Sequence, residues 1–531
     1  MSLISRNRGA GRLDDLLPCF CEQLAERQFE CNVLARSSRA CYTQFNVSSS
    51  CLKDSILIER KERSRMSKPS ETEMRHKQGQ ISPQSQMLLI TAIGFGVLLN
   101  PLNTTMISVA FSRLQQEFQV PYSAISWLIA TYYVASAVAQ PVMGKLSDML
   151  GRKRIFLLGL LLVTISSMLA PFSPSIGWLM AFRVIQAIGT SSLFPAGMGM
   201  IRSSITDNQA RALSVMSIFS STSAAFGPSI GGFLIQYGDW PAIFFVNFPV
   251  ILISFFMSIK ILPKDGPRKP IASGGLDLWG IVFFTALIVS WLFFFLSFEQ
   301  GFNVWLLIVS LVMSFLFYQF EKRRKQPFID VFFLKNNLNV CMVYIQFICV
   351  NIVFYSVMFS IPSYLQQVRH FDAQRVGLIM LAVSGFSVFV TPWVGRWIDK
   401  SGSKSPLIAG SLFVMAGSLL LLLLHDNTLP YVIFAFLSVF GISNGFQNLG
   451  LQTALYSYVS TKETGIASGL FMTSRFMGTI LSSSLLGAIF SSEFSTQRLH
   501  TMAAVCAVIS VAILVLSLKM PSHRPQTPYA E

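Results

Sequence analysis

The sequence GKLSDMLGRKR at residues 144–154 is a short, basic stretch bounded by glycines, and it lies between two long apolar runs. A weaker copy, GRWIDKSGSK, lies at residues 395–404. In each copy an Asp follows the first Gly by four residues and a second Gly follows it by seven. Two such loops at equivalent places in two hydrophobic halves indicate an internal duplication. Membrane transporters built from two repeats place their binding site near the bilayer midplane, where the repeats meet.

The composition points to the membrane. Hydrophobic residues make up 52% of the 531 residues and charged residues only 12%, whereas soluble proteins carry about 25% charged residues. Apolar stretches of about 20 residues recur, which is the length a helix needs to cross the hydrocarbon layer. Backbone groups in lipid must be satisfied within their own segment, so these stretches are expected to be helices. The sequence predicts an all-α polytopic membrane protein.

The apolar runs predict fourteen transmembrane helices. We place them at about 87–110, 123–143, 155–172, 176–201, 211–236, 241–262, 276–297, 302–320, 339–361, 374–395, 406–424, 429–452, 464–490 and 501–519. The division that follows is a tail at 1–86, a six-helix bundle at 87–262, two inserted spans and a cytoplasmic loop at 263–338, a second six-helix bundle at 339–519, and a tail at 520–531.

The net charge of +16 reflects orientation rather than binding to nucleic acid. Lys and Arg concentrate in residues 1–86, in alternate short loops and in the C-terminal tail. Positive residues collect in cytoplasmic loops, so both termini are expected in the cytoplasm and the protein in the cell membrane. Residues 1–86 contain no apolar run long enough for a span, and their five cysteines fit no zinc pattern. We expect a disordered tail and a native start at Met66.

Residues 144–154 contain the parts of a gate. Gly144 and Gly151 permit a tight turn and a close approach of two helices. Asp148 can accept hydrogen bonds from a helix N-terminus or pair with Arg152, and Asp399 holds the same place in the second copy. A charged latch of this kind can form in one conformation and break in the other. The alternative interpretation is a plain topology anchor.

Span 5 carries a different pattern. Gly227 and Gly231 form a face of small residues that allows close helix contact. Pro228 removes a backbone donor and bends the helix, and Gly232 follows. We expect either a bend that seals the cavity against leak of ions, or ordinary close packing.

Two arginines lie inside apolar spans, which is costly unless they face the protein interior. Arg183 in span 4 shares a helix face with Gln186, and Asn103 of span 1 lies at a similar depth. Arg475 is near the middle of span 13. We predict that these four residues belong to the substrate or proton pathway, with a structural role as the alternative.

These residues carry a resemblance to the Major Facilitator Superfamily. Residues 144–154 resemble its signature between spans 2 and 3, Arg183, Gln186 and Gly189 its span 4 motif, and the Gly227–Gly232 pattern its span 5 antiporter motif. Fourteen spans narrow the resemblance to the drug:proton antiporters of the EmrB/QacA type. Further agreement comes from Trp240, Phe244, Asn247, Pro249, Asp277, Gly280, Pro327, Asp330, Leu334, Gln366, Arg475 and Gly478.

The resemblance implies export of toxic or amphipathic organic compounds, driven by inward proton flow. It implies that Asp148 and Arg152 serve the inner gate, that Gly227, Pro228 and Gly231 form the leak-tight bend, and that Arg183 serves the pathway. The expected partners are the lipid bilayer, a small organic substrate and protons, and no nucleic acid is expected. No cofactor or metal is expected, and the proton gradient is the expected energy source. The protein is expected to be a monomer.

One departure from the family pattern concerns proton coupling. Many relatives carry an Asp in span 1 where this chain has Asn103. Asn does not titrate, and no Asp or Glu lies well inside a predicted span, although a buried carboxylate is the usual proton carrier. Coupling could proceed through Asp148, Asp239 or the charge of the substrate. The two buried arginines are compatible with a neutral or anionic substrate.

Two other functions compete with an exporter. A facilitator or importer of a small metabolite could use the same fold without a proton. A membrane enzyme or sensor lacks support, because the sequence has no phosphate-binding loop and no His or Cys cluster at metal spacing. Candidate substrate contacts are polar or aromatic residues within spans, namely Asn103, Tyr132, Tyr133, Gln140, Gln346, Asn351, Tyr355, Asn444, Gln447 and Asn448.

Overall fold

The apolar runs of the sequence form long helices in the structure, which is a computed structural model. It describes residues 83–120, 122–205, 209–265, 277–297, 302–324, 327–490 and 495–521. The predicted start at Met66 and most of both predicted tails lie outside these residues. The described residues belong to one compact unit.

The first part of the chain forms long helices joined by short connections, so that consecutive long helices run in opposite directions. Their bounds are α1 Pro83–Met106, α2 Phe111–Phe118, α3 Tyr122–Leu150, α4 Arg152–Leu169, α5 Ile176–Ser204, α6 Gln209–Gly238, α7 Ala242–Phe245 and α8 Asn247–Ile261. Short 3₁₀ segments follow α1 at Ile107–Ala110 and α4 at Ala170–Phe172.

The remaining helices continue the same alternation. Their bounds are α9 Leu278–Leu296, α10 Val304–Lys322, α11 Val331–Asn336, α12 Leu338–Gln367, α13 Ala373–Ser401, α14 Lys404–Leu421, α15 Pro430–Tyr458, α16 Thr464–Ile489 and α17 Thr496–Lys519, with a 3₁₀ turn at Thr461–Glu463.

Within the described residues, eleven helices are long and apolar enough to cross a membrane. Helices α3, α6 and α16 are also long, at 29, 30 and 26 residues, but they are not among these eleven. They pack against several other helices, α3 against α5 and α16 and α6 against α1 and α13. Faces that meet protein instead of lipid can carry small and polar residues. The predicted count of fourteen spans therefore stays a prediction.

The helices fall into groups that we name by their bounds. Helices α1 to α8 pack on one another and form the N-terminal group, and α12 to α17 form the C-terminal group. The two groups meet where α3 contacts α16 and α6 contacts α13. Helices α9 and α10 form a hairpin, in which α9 contacts both α3 and α16.

The prediction of a loop across 144–154 was wrong in its extent. Residues 144–150 are the last two turns of α3, and the chain breaks only at Gly151, whose φ is +112°. The second copy repeats this: α13 continues to Ser401 and breaks at Gly402, where φ is +78°. The residues before each break are compatible with a helix, so only the second glycine of each copy, which tolerates positive φ, makes the turn.

Candidate transport cavity and gate

One end of the helix assembly carries the two glycine turns. Because the helices alternate in direction, the Gly151 turn, the Gly402 turn and the α15–α16 connection lie at the same end. Lys145 and Arg202 also lie there. We call it the basic end, and we call the opposite end, where the connections after α4, α6 and α12 lie, the far end.

Asp148 joins the two groups of helices at the basic end. Its carboxylate forms an ion pair with Arg152, N–O 3.2 Å, and accepts a hydrogen bond from the backbone N–H of Ile466 at 3.1 Å. Ile466 lies in the first turn of α16, where unpaired N–H groups and the helix dipole favour a negative charge. Burial raises the pKa of Asp148 to about 6, against the opposing effect of Arg152.

Arg152 extends this contact to two more elements. Its guanidinium donates to the carbonyl of Gly199 in α5 at 2.6 Å and to the carbonyl of Thr461 beside α16. Arg202, at the end of α5, donates to the carbonyls of Tyr456, Val459 and Ser460 and to the Thr464 hydroxyl. Arg202 was not among the predicted gate residues, because in the sequence it is one of several basic residues that follow apolar runs.

The backbones of α3 and α16 touch at the same place. A Cβ added to Gly144 would lie 2.2 Å from the carbonyl oxygen of Gly465, and one added to Gly465 would lie 2.4 Å from that of Gly144. A Cβ on Gly469 would lie 2.4 Å from the carbonyl oxygen of Gln140. Since a backbone cannot move aside as a flexible side chain does, glycine is required at these positions for the two helices to meet.

Asp399 makes the equivalent contact between the other pair of helices. Its Oδ1 accepts a hydrogen bond from the backbone N–H of Ala210, in the first turn of α6, at 3.1 Å. Each copy of the duplicated motif thus places a carboxylate from one group at the N-terminus of a helix from the other group. We use the name clasp for Asp148, Arg152, Arg202 and Asp399 with these partners.

A cavity of about 1050 Å³ lies between the two groups of helices. Its lining comes from α1, α3, α5 and α6 on one side and from α12, α13, α15 and α16 on the other. It reaches the far end, because Thr105 near the end of α1, Gln366 near the end of α12 and Gly377 near the start of α13 line it. At the basic end the clasp lies across the junction of the two groups.

Arg475 is half-buried in the wall of this cavity. Its Nε donates to the hydroxyl of Tyr355 at 3.1 Å, and its guanidinium carbon is 5.9 Å from the centre of the same ring. Tyr133 and Phe476 also line the cavity, with ring centroids 5.8 Å apart. The predicted contact residues that line it are Tyr133, Gln140, Asn351, Tyr355, Asn444 and Asn448.

The other predicted contact and pathway residues are held in buried networks. Asn103 and Asn247 exchange amide hydrogen bonds at 3.0 and 2.9 Å, and Gln186 donates to Asn103 Oδ1 at 3.1 Å. Arg183 is 2% exposed and donates to Gln186 at 2.6 Å, with its guanidinium 4.1 Å from the ring centre of Tyr132. Gln346 similarly donates to Gln447 and Ser517 within the C-terminal group.

The residues of the predicted bend pack against the end of α1. A Cβ on Gly227 would lie 1.8 Å from Thr105 Oγ1, and one on Gly231 would lie 3.2 Å from Met106. Pro228 and Gly232 lie in the same helix, and α6 runs as one helix from Gln209 to Gly238. These glycines therefore bring α6 close to α1 beside the cavity.

The amide pair gives a prediction about stability. Asn247→Leu would remove both hydrogen bonds between the two amides and leave one buried N–H of Asn103 without an acceptor, so we expect the free energy of unfolding to fall by about 1–3 kcal/mol. The melting temperature of the purified protein in detergent measures this. Asn336→Leu, at the exposed end of α11, should change the melting temperature little, and equal melting of the two variants would contradict the assignment.

Comparison with known proteins places the chain in a family. The profile of the Major Facilitator Superfamily matches residues 93–483 and, in a second match, residues 343–531. Over 442 residues the chain is 41% identical to an uncharacterized MFS-type transporter, YwoD of Bacillus subtilis (strain 168), covering 83% of this chain and 98% of that protein.

The names of two more distant relatives describe a function. The chain is 26% identical over 433 residues to the riboflavin transporter RibZ of Clostridioides difficile (strain 630), covering 80% of this chain and 93% of that one. It is 24% identical over 425 residues to the multidrug resistance protein Stp of Mycobacterium tuberculosis (strain ATCC 25618 / H37Rv), covering 78% and 77%.

A solved structure shares the fold. The human organic anion transporter MFSD10 (TETRAN) matches with a TM-score of 0.59 and 16% sequence identity, covering 82% of this chain and all of that one. At this identity the likeness concerns the fold alone. With the family match and the YwoD relative, it places this multi-pass membrane protein among transporters rather than enzymes: the chain belongs to the Major Facilitator Superfamily.

Proposed function

We propose that the protein is a secondary active exporter of organic compounds that works by alternating access. The observation that carries the proposal is the cavity between the two helix groups, which reaches the far end while the clasp lies across the basic end. Multidrug resistance proteins among the distant relatives support organic compounds as cargo.

The proposed topology has fourteen spans, with both termini in the cytoplasm. The fourteen spans are the eleven apolar helices together with α3, α6 and α16. They form two six-helix bundles at 87–262 and 339–519 with a hairpin between them. The concentration of Lys and Arg at the basic end supports a cytoplasmic position for that end. In this orientation the cavity opens to the outside in the described conformation.

The proposed cycle depends on release of the clasp. The hydrogen bonds that Asp148, Arg152 and Asp399 make to the opposite group break. Helix α3 then separates from α16 and α6 from α13, and the cavity opens to the cytoplasm. The breaks at Gly151 and Gly402 follow these carboxylates, so each motif copy moves with its own group. The close contact of Gly227 and Gly231 with α1 supports the proposed seal against ion leak, and Asn103, Arg183 and Gln186 are proposed to serve the pathway beside it.

Proton antiport is proposed as the energy source. Asp148 supports it, because a carboxyl whose pKa burial raises to about 6 exchanges protons near neutral pH when its surroundings change. Asp239 is less suited, since its hydrogen bonds with Arg113 hold its pKa below the usual value. The alternative, a facilitator or importer of a small metabolite, is favoured by Asn103 in place of a carboxylate and by the riboflavin transporter among the relatives.

Transport by purified protein in proteoliposomes tests the proposal. With substrate inside and the protein oriented by protease accessibility, we expect efflux of an organic probe to rise at least tenfold when an inward proton gradient is imposed. Efflux that is independent of the proton gradient but depends on the substrate gradient would support the facilitator. If the protein moves none of the compounds in a panel of cations, anions and neutral molecules, both the exporter and the facilitator are contradicted.

A further inference from the structure

The cavity has an unusual balance of charge. The described lining residues include Asn, Gln, Ser, Thr and Tyr side chains and many apolar ones, but Arg475 alone among them carries a formal charge. A cationic ligand would therefore find no described carboxylate in the wall, and it would meet the repulsion of a guanidinium. A ligand with a negative charge would find one cation.

Arg475 is available to a ligand. Its Nε is occupied by the Tyr355 hydroxyl, while its two terminal nitrogens have no hydrogen-bond or ion-pair partner among the described residues. A guanidinium withdrawn from bulk water with unused donors is stabilised by an anion that accepts from them. Two parallel N–H groups match the two oxygens of a carboxylate or sulfonate.

Aromatic rings stand next to this cation. Tyr133, Tyr355 and Phe476 line the same part of the wall, and Phe471 lies one turn before Arg475 on α16. Flat rings of this kind bind the body of an aromatic ligand by edge and face contacts. The cavity volume of about 1050 Å³ lies just above the range of about 300–1,000 Å³ that is usual for small-molecule pockets.

We infer that the cavity binds amphipathic organic anions, with a carboxylate or sulfonate on the terminal nitrogens of Arg475 and an aromatic body against Tyr133, Tyr355 and Phe476. This inference rests on the proposed function and names its substrate class. Arg475 is then the residue that determines specificity for charge.

The charge of the substrate bears on the energy source. An inside-negative membrane potential already drives an anion outward, by a factor of about 50 in concentration for each 100 mV. Export of a monovalent anion in exchange for a proton moves two charges in the favourable direction. An exporter of anions consequently depends less on a titrating carboxylate in span 1, where this chain has Asn103.

Binding of matched probes to the full-length protein in nanodiscs tests the inference. The probes are a naphthalene carboxylate, its uncharged amide and a naphthalene quaternary ammonium, with Kd measured by calorimetry. We expect the carboxylate to bind at least tenfold more tightly than the ammonium. Arg475→Gln should weaken the carboxylate at least tenfold and the amide less than twofold, and Arg475→Lys should recover part of the loss.

Arg113→Gln is the control, because Arg113 lies at the exposed far end in an ion pair with Asp239; all three affinities should stay within twofold. Tighter binding of the ammonium, or an equal loss for all three probes in Arg475→Gln, would overturn the inference. If Arg475→Gln does not fold, the order of the three probe affinities on the unmodified protein decides whether the inference holds. Selective binding of the anion without transport would leave the inference standing while the proposed function fails.

Discussion

Asp148→Asn is expected to reduce efflux by more than tenfold while the amount of inserted protein stays the same. Asparagine is neutral at every pH, so it resembles protonated Asp148, and the clasped arrangement prefers the protonated form because burial raises the pKa to about 6. Arg152 keeps its bonds to the carbonyls of Gly199 and Thr461. The variant should therefore stay clasped, and the cavity should not open at the basic end.

The same carboxyl predicts a pH dependence. When α3 separates from α16, Asp148 meets water and its pKa returns toward the ordinary value of 3.8. Between about pH 4 and pH 6 the clasped state then binds more protons than the separated state. Lowering the pH through this window favours the clasp, and raising it through about 6 releases it, by at most about 100-fold for two pKa units.

Labelling of an introduced thiol measures both effects. Ser147 is 1% exposed in the clasped state, so Ser147→Cys, in a background whose native cysteines are replaced, should react slowly at pH 5 and faster at pH 7.5. Its rate is taken relative to a cysteine at exposed position 264, which corrects for ionisation of the thiol. Asp148→Asn should give slow labelling at both pH values.

Asp239→Asn is the matched control for transport, since the same change falls on an exposed ion pair with Arg113 at the far end. We expect efflux within twofold of the unmodified protein. Efflux at the unmodified rate in Asp148→Asn would show that Asp148 does not govern the gate. If labelling of the thiol at position 147 still depends on pH in Asp148→Asn, this too would show that Asp148 does not govern the gate.

Gly144→Ala is expected to lower efflux by more than tenfold, because it should prevent the clasp from closing, whereas Asp148→Asn should keep it closed. Its Cβ would lie 2.2 Å from the carbonyl oxygen of Gly465, so α3 and α16 would have to separate. Overpacking of this kind costs about 1–3 kcal/mol, which shifts the balance away from the clasped state by a factor of about 5 to 150. The thiol introduced at position 147 should therefore be labelled faster than it is without the Gly144→Ala change, at every pH.

Gly469→Ala, which places a Cβ 2.4 Å from the carbonyl oxygen of Gln140, should behave in the same way. Gly385→Ala is the control, because an added Cβ there meets nothing within 4 Å, and it should leave efflux and labelling within twofold. Unchanged labelling in both Gly144→Ala and Gly469→Ala would mean that the close contact of α3 and α16 is dispensable for the clasp.

The local features of the fold could be predicted because lipid restricts the choices of the chain. A run of about 20 apolar residues in a bilayer has one way to satisfy its backbone, so the helices followed from run length alone. Their ends did not. Nothing in the sequence distinguishes Gly144, which lies inside α3, from Gly151, which ends it.

The candidate site was predictable in its residue types but not in its partners. The duplication of a charged motif led to the proposal of a gate, yet it did not indicate that the partner of Asp148 is an N–H group at Ile466, 318 positions away. Arg183 and Arg475 look alike in the sequence, but one lies in a closed network with Asn103 and Gln186 and the other in the wall of the cavity.

The sequence by itself therefore determined the membrane class, the presence of long apolar helices, the duplicated motif and the family resemblance, since each depends on residues that are close along the chain. Only the tertiary structure decided which helices the carboxylates cap, where α3 and α16 touch, and which arginine faces the cavity. Those properties depend on the rotation and depth of each helix relative to helices from the other group, and packing across the interface between the groups sets both.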